Sequence, residues 1–565
     1  MLKGIGVSDG IGIGNVVIID DRSLDFTPRE ICDVEAEKNR FSKAVEEFIA
    51  RTTKQAESIR ASVGDKEAEI LEGHITMIND PFMSGEIDKN ITSGKCAEES
   101  LCMVCEMFIG MFTASGDEMT MQRAADVRDI RDGVLSVLLG VEEVKISDVP
   151  KGTVIVTKEL TPSMTAGIVK DNIEGIVTET GSRTSHSAIL AKALEIPAVL
   201  SVKDALANMS TGDKVIVDGD DSTVIVGPSD AELTEYTAKR DEYLKEKKEL
   251  EAFRGKKTVS ASGEEYELFC NIGKPDDAKQ ALESDGEGIG LFRTEFLFMD
   301  RGALPTEDEQ FEAYKQASMI MQGKPIIIRT LDVGGDKEIP YLGLEKEENP
   351  FMGFRAIRYC LANRDMFKTQ LRAILRASAF GEIRIMFPLI TAVEELRQGK
   401  ELVEEAKKEL KSEGIDFDDN IKVGIMTETA ASGVIADLLA KESDFFSIGT
   451  NDLTGYTMEV DRGNSNVAYL YSTFQPSVLR MIKRIIECAN DAGIDVGMCG
   501  EAAADIKMVP LLMSFGLTEF SVSAPSVLKV RKTISSLTKE EADKIADKVM
   551  AMATEEEIVN YLSSF

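Results

Sequence analysis

Only two histidines occur in the chain, and one of them, His186, stands among hydroxyls in Gly181-Ser182-Arg183-Thr184-Ser185-His186-Ser187-Ala188-Ile189-Leu190. Upstream, Gly175-Ile176-Val177-Thr178 reads as a buried strand, and downstream residues 188–194 combine helix formers with apolar residues at helical spacing. His186 therefore opens a helix. The free N–H groups and positive dipole end of a helix start favour an anion such as phosphate. An imidazole placed there is suited to carrying a phosphoryl group; the plain alternative is a capping-region histidine without chemistry.

A second set of reactive groups lies beyond Ser260, where short apolar runs alternate with longer helical stretches. The strand candidates are 268–271, 288–291, 325–329, 383–388, 423–426, 445–448, 496–499 and 519–522. Eight such units predict a (β/α)8 TIM-like barrel, whose chemistry sits at the C-terminal ends of its strands; an open doubly wound sheet is the competing architecture. Charged and polar residues follow those strands, as Phe292-Arg293-Thr294-Glu295, Arg329-Thr330-Leu331-Asp332, Thr427-Glu428, Gly449-Thr450-Asn451-Asp452 and Cys499-Gly500-Glu501. Glu428 and Asp452 are hard oxygen ligands suited to Mg²⁺, and arginine forks grip phosphate or carboxylate. Arg355, Arg358 and Arg462 lie in loops within reach of the same rim. A small, doubly anionic substrate held through magnesium follows, with structural ion pairs around the barrel mouth as the alternative. Cys499, a thiol mostly protonated at neutral pH, could serve as an acid there, or simply be a small buried residue.

The elements that must position these groups follow from length and patterning. A chain of 565 residues exceeds one ordinary core, at about 100–200 residues per domain. An N-terminal α/β domain is expected over residues 1–32 and 140–229. Its early glycines suit turns between short strands better than a dinucleotide fingerprint, because the spacing is not G-x-G-x-x-G. Long charged segments with helical period predict a helical-bundle insertion over 33–139. A densely charged stretch with little apolar surface predicts a helical linker at 230–259, and the barrel fills 260–565.

Composition narrows the function classes. With 65 basic against 99 acidic residues, a net charge of −34 argues against nucleic-acid binding by phosphate neutralisation. It would attract basic protein partners, or simply confer solubility. The eight cysteines are scattered, and neither a secretory signal nor a membrane-spanning run is present, which predicts a reduced, cytoplasmic protein without membrane insertion. Cys102 and Cys105 form a C-x-x-C, but in a helical segment with no second pair to complete a metal or redox site. His74 lies near an acidic and apolar helix end suited to docking a basic partner, or in an ordinary solvated helix.

These motifs together resemble enzyme I of the phosphoenolpyruvate-dependent sugar phosphotransferase system, over essentially the whole chain. The resemblance rests on the His186 segment and on Gly288-Ile289-Gly290-Leu291-Phe292-Arg293-Thr294-Glu295, Ile328-Arg329-Thr330-Leu331-Asp332-Val333-Gly334-Gly335-Asp336-Lys337, Asn349-Pro350-Phe351-Met352-Gly353-Phe354-Arg355, Gly449-Thr450-Asn451-Asp452-Leu453-Thr454, Val460-Asp461-Arg462-Gly463-Asn464 and Gly497-Met498-Cys499-Gly500-Glu501. It implies a two-step relay in which phosphoenolpyruvate, bound to the barrel with Mg²⁺, phosphorylates His186 at Nε2. The phosphohistidine then passes its group to the phosphocarrier protein HPr, docked on the helical insertion. On the same resemblance, Thr165 supports His186, and Glu428 and Asp452 hold magnesium. Arg293, Arg329, Arg355, Arg462, Lys337, Asn451 and Asp452 grip the substrate, and Cys499 protonates the enolate to pyruvate. A homodimer through the barrel is implied, as is a large hinge motion near the linker.

The chain departs from the family pattern at Ser182, Ala430, Gly455 and Ser472-Thr473, three of these places bordering the barrel mouth. Pyruvate phosphate dikinase and phosphoenolpyruvate synthase share the histidine motif and barrel, but carry a nucleotide-binding region where this chain has the helical insertion. A nitrogen-related paralogue would carry a further sensory domain ahead of Met1. From a different class, the chain could be a phosphoenolpyruvate-sensing regulator with little turnover, a reading that intact His186, Glu428, Asp452 and Cys499 oppose.

Overall fold

The computed structural model describes the chain apart from residues 20–23, 25, 63–64, 114–117, 142–145, 147–148, 161–163, 165–169, 183–185, 300, 335–338, 346, 462–463, 465 and 565. At 58–59, 61–62, 65–69, 118–122, 125, 186, 189, 193 and 340 it describes the backbone alone. The chain divides into two compact units, Met1–Glu246 and Lys247–Phe565.

The first unit is built on a mixed sheet of eight strands: β1 (Leu2–Lys3), β2 (Ile5–Ser8), β3 (Ile11–Ile19), β4 (Thr153–Thr157), β5 (Ile173–Thr178), β6 (Ala198–Leu200), β7 (Lys214–Asp218) and β8 (Thr223–Val226). Their order is β1-β8-β7-β3-β4-β5-β6-β2. β3 to β6 run parallel, while β7, β8, β1 and β2 join antiparallel. Glycine among the first strands is a matter of closeness: a Cβ on Gly12 would stand 1.9 Å from the Glu174 carbonyl oxygen, so any larger residue would force the strand away.

Among the described residues between β3 and β4 lie five α-helices, α1 (Val34–Ser62), α2 (Asp65–Ile78), α3 (Pro81–Thr92), α4 (Ala97–Thr113) and α5 (Glu118–Leu139). They share an apolar core that includes Phe48, Ile87, Leu101, Val104, Ile130 and Val134. Cys105 belongs to that core, and burial pushes its thiol up to about 12, which suits packing rather than redox chemistry. Asp230–Glu251 is one continuous helix with a single buried residue, Tyr236.

The second unit contains a closed parallel barrel of β9 (Glu267–Ile272), β10 (Gly288–Arg293), β11 (Ile326–Arg329), β12 (Ile383–Phe387), β13 (Val423–Thr427), β14 (Phe445–Ile448), β15 (Asp495–Met498) and β16 (Glu519–Val522). β16 returns to pair with β9 through Phe520 and Leu268, so the open-sheet alternative fails. Each strand candidate read from the sequence overlaps one of these eight. Helices between the strands bury apolar faces on the barrel: Arg364–Ala377 places Phe367, Leu371, Ile374 and Leu375 there, each contributing roughly 1.5–3 kcal/mol. No described helix is long and apolar enough to cross a membrane.

Candidate functional site

In the first unit, the helix His186–Leu194 follows β5 and leads into β6. Ala188, Leu190 and Ala191 pack on Ile155, Ile176 and Ala198, which fixes the helix against the sheet and leaves its first turn at the strand ends. Ser187 Oγ donates to the Leu160 carbonyl over 3.1 Å, and Ser8 Oγ to that of Ala191 over 3.2 Å. The residue beside His186 is thereby tied to the segment after β4. The His186 backbone begins the helix, as the spacing predicted; its side chain, and Thr165 altogether, lie outside the described residues.

In the second unit, a cavity of about 520 Å³ opens at the C-terminal ends of the barrel strands. Arg293, Arg329, Arg355, Glu428, Asn451, Asp452 and Cys499 all line it. Lys337 and Arg462 fall outside the described residues. Arg358 is not among the residues lining the cavity; it donates to the carbonyls of Met352 and Gly353 at 3.1 Å each.

The charged groups form one connected set. Arg329 Nη2 donates to Glu295 Oε1 over 2.6 Å and its Nη1 lies 3.2 Å from Asp332 Oδ2. Arg355 Nη2 donates to Asp332 Oδ1 over 3.0 Å and to Asp452 Oδ2 over 3.2 Å. Burial works against the charge on both guanidiniums, but the surrounding carboxylates more than offset it and leave both more basic than usual. Arg293 is exposed, lies over the Phe296 ring at 5.4 Å, and forms no ion pair among the described residues. Among the described arginines that line the cavity, its guanidinium is thus without a carboxylate partner.

Glu428 is buried, accepting a hydrogen bond from Leu389 N over 2.7 Å. Burial, then Asp452 and Asp332, push its carboxyl well above the usual carboxylate range, with Arg329 and Arg355 opposing. Crowded carboxylates of this kind fit a hard divalent cation, whose charge would relieve their repulsion. Among the described residues no group of three or more His, Cys, Asp or Glu side chains converges to hold a metal.

Cys499 sits just beyond β15, and burial pushes its thiol up to about 12; it is a protonated acid at neutral pH. With Leu291, Ile327, Met386, Met426 and Phe445 it forms an apolar cluster in the barrel. Asn271, at the end of β9, donates to the Cys499 carbonyl over 3.0 Å and to that of Ser521 over 3.2 Å. Sequence reasoning assigned no role to Asn271, Glu295 or Asp332; their only signal was their place at or just after strand candidates.

His74 is buried, its Nε2 3.4 Å from Asp126 Oδ1 and its Nδ1 3.7 Å from Asp129 Oδ2. It cannot offer a contact to a partner, nor is it a solvated surface residue, because α5 covers it. Among the described residues of the insertion, Phe82 on α3 and Met103, Met107 and Met111 on α4 are exposed large apolar side chains, and Phe108 makes ring contacts to Phe82 and Phe112 at 5.9 and 6.2 Å.

Comparison with known proteins bears on both units. Models of the PEP-utilising enzymes match in order: the N-terminal domain over residues 3–123, the mobile domain over 149–222 and the PEP-binding domain over 247–539. A phosphoenolpyruvate-protein phosphotransferase of Priestia megaterium is 45% identical over 100% of this chain and 98% of its own. One from Listeria innocua is 44% identical over 100% and 99%. A solution NMR structure of an enzyme I protein covers 43% of this chain and 99% of its own, at 34% identity and a TM-score of 0.39. By full-length identity and by the ordered matches of all three domain models, the chain belongs to the phosphoenolpyruvate-protein phosphotransferase family of PEP-utilising enzymes.

Proposed function

We propose that this enzyme takes the phosphoryl group of phosphoenolpyruvate onto His186, releases pyruvate, and passes the group to the phosphocarrier HPr as the first step of sugar uptake. The observation that carries this reading is the convergence of Arg293, Arg329, Arg355, Glu428, Asp452 and Cys499 on one cavity at the barrel rim. A phosphorylated enolpyruvate is small and carries two anionic groups, which the guanidiniums answer in bidentate fashion. Arg293, Arg329, Arg355, Arg462, Lys337, Asn451 and Asp452 are the proposed substrate contacts. Glu428 and Asp452 would hold Mg²⁺, which when bound neutralises phosphate charge.

When His186 Nε2 attacks phosphorus, the bond to the enol oxygen breaks and leaves the enolate of pyruvate. Cys499 Sγ then gives its proton to the terminal carbon. The thiol is held protonated by burial and so is available for that transfer. The phosphohistidine is favoured at a helix start, whose positive dipole end suits an anion, with Thr165 as a supporting hydroxyl.

HPr is proposed to dock on the 33–139 helical region, where Phe82, Met107 and Met111 supply an exposed apolar patch, and the protein's acidity would steer a basic partner. The 1–32 and 140–229 segments form the proposed phosphohistidine domain, 230–259 the linker, and 260–565 the substrate-binding and dimerising region. Exposed Met352, Phe354 and Tyr469 in its loops support a homodimer. Radiolabel from [³²P]phosphoenolpyruvate, with Mg²⁺ and no nucleotide, is expected as an acid-labile, base-stable adduct that transfers to HPr. Absence of label on reduced protein would overturn the relay and favour a sensor.

A further inference from the structure

Behind the barrel rim lies a buried hydrogen-bond network that touches no cavity-lining side chain directly. Its centre is Gln370, fully buried on the helix Arg364–Ala377. Gln370 Oε1 accepts from Leu331 N over 2.9 Å, and Nε2 donates to Thr294 Oγ1 over 3.1 Å and to the Tyr314 hydroxyl over 3.2 Å. Thr294 Oγ1 in turn donates to the Arg329 carbonyl over 2.8 Å. The Tyr314 hydroxyl donates to Gln310 Oε1 over 3.2 Å, and Gln310 Nε2 donates to the Pro305 carbonyl at the same distance.

Both N–H bonds of the Gln370 amide and its oxygen are engaged, so no other side chain of that size serves. A carboxylate has no donor and an alkyl chain has neither donor nor acceptor. Besides the Tyr314 hydroxyl, the groups it binds are the first residue after β10 and the backbone two residues after β11. Arg293 precedes Thr294, Arg329 and Asp332 flank Thr330-Leu331, and all three line the cavity. A displacement of about 1 Å at such a point is enough to cost roughly 100-fold in rate.

We propose that Gln370 is a positioning residue, which with Thr294 clamps the ends of β10 and β11 so that Arg293 and Arg329, the latter paired with Asp332, meet the substrate in register. This rests on the phosphotransfer reading above, since the substrate is the one named there. The test compares Gln370→Met with three controls. Gln310→Met removes the outer end of the same buried network without touching either strand end, Thr294→Val deletes the hydroxyl at nearly constant shape, and Thr294→Ser restores it.

Gln370→Met and Thr294→Val are expected to lower kcat/KM for phosphoenolpyruvate by at least about tenfold, with KM for HPr unchanged. Thr294→Ser is expected to stay within about twofold of the parent, and Gln310→Met to lower the unfolding midpoint without moving kcat/KM for phosphoenolpyruvate. Parental kcat/KM in Gln370→Met, or equal losses in the Gln310 and Gln370 variants, would overturn the proposal while leaving the relay intact. If Gln370→Met does not fold, the Thr294 pair decides: equal activity of the Val and Ser variants overturns it. No label on the parent protein overturns the relay, and this proposal with it.

Discussion

Glu519 offers a test of the barrel interior in which the magnitude follows from geometry. It lies on β16, 5% exposed, in space left by two glycines. A Cβ on Gly290 would stand 2.5 Å from Glu519 Oε1, and one on Gly497 would stand 2.8 Å from its Cδ. Oε1 has no hydrogen-bond partner among the described residues. Burial first, then Glu267, push the carboxyl from 4.5 to about 8, with Arg384 partly opposing. The folded protein thus keeps a proton that the unfolded chain gives up above pH 4.5 or so. The stability contributed by this raised pKa is complete below about 4.5 and is lost as pH rises toward and through about 8. At ~1.4 kcal/mol per pH step the loss has a ceiling of about 5 kcal/mol, and about 2–5 kcal/mol is expected once local relaxation and water entry are included. Glu519→Gln keeps the shape and abolishes the titration. Because other titrating groups are common to both proteins, the difference in barrel stability between variant and parent isolates Glu519. Urea unfolding followed by far-ultraviolet circular dichroism at pH 5 and pH 8.5 is the assay. The variant should gain about 2–4 kcal/mol over the parent between the two values. A difference that stays constant to within about 0.5 kcal/mol would refute the reasoning and mean that Glu519 is ionised in the folded barrel.

Three further outcomes are expected. His186→Ala should abolish labelling while phosphoenolpyruvate with Mg²⁺ still raises the unfolding midpoint of the barrel; incorporation of label into that variant would remove the histidine from its role. Cys499→Ser should still be phosphorylated but release pyruvate about 100-fold or more slowly, because a serine hydroxyl is a much weaker acid than the thiol; unchanged pyruvate release in a coupled assay would show that another group protonates the enolate. Phe82→Ser with Met107→Ser should raise KM for HPr about tenfold or more while labelling from phosphoenolpyruvate keeps its parental rate, and slowed labelling would mean that the patch serves the fold rather than the partner.

Much of the barrel could be read directly because its strands are short, doubly buried and rich in Ile, Val and Phe. Runs such as Ile326–Arg329 and Phe445–Ile448 stand out between amphipathic helices. The rim was legible for a related reason: a charged residue just after an apolar strand falls at the mouth of any such barrel. Asn271 was not legible as a support for Cys499, since the contact spans 228 positions in the chain. It forms only when the β16–β9 pairing closes the barrel. Gln370 and Glu519 share that obscurity, being single polar residues within otherwise ordinary helix and strand patterns.

His74 shows the same limit on a smaller scale. Its own helix suggested an accessible end, but Asp126 and Asp129 approach from α5, 52 and 55 positions away. Local sequence determined the elements, the order of the domains, the histidine at a helix start and the charged strand ends, because periodicity, turn chemistry and residue type act over a few neighbours. Only the tertiary structure decided which carboxylate faces which guanidinium, which acid is stripped of water, and which amide clamps two strand ends. Those outcomes depend on distances and dielectric surroundings that exist once the sheet has closed and the helices have packed.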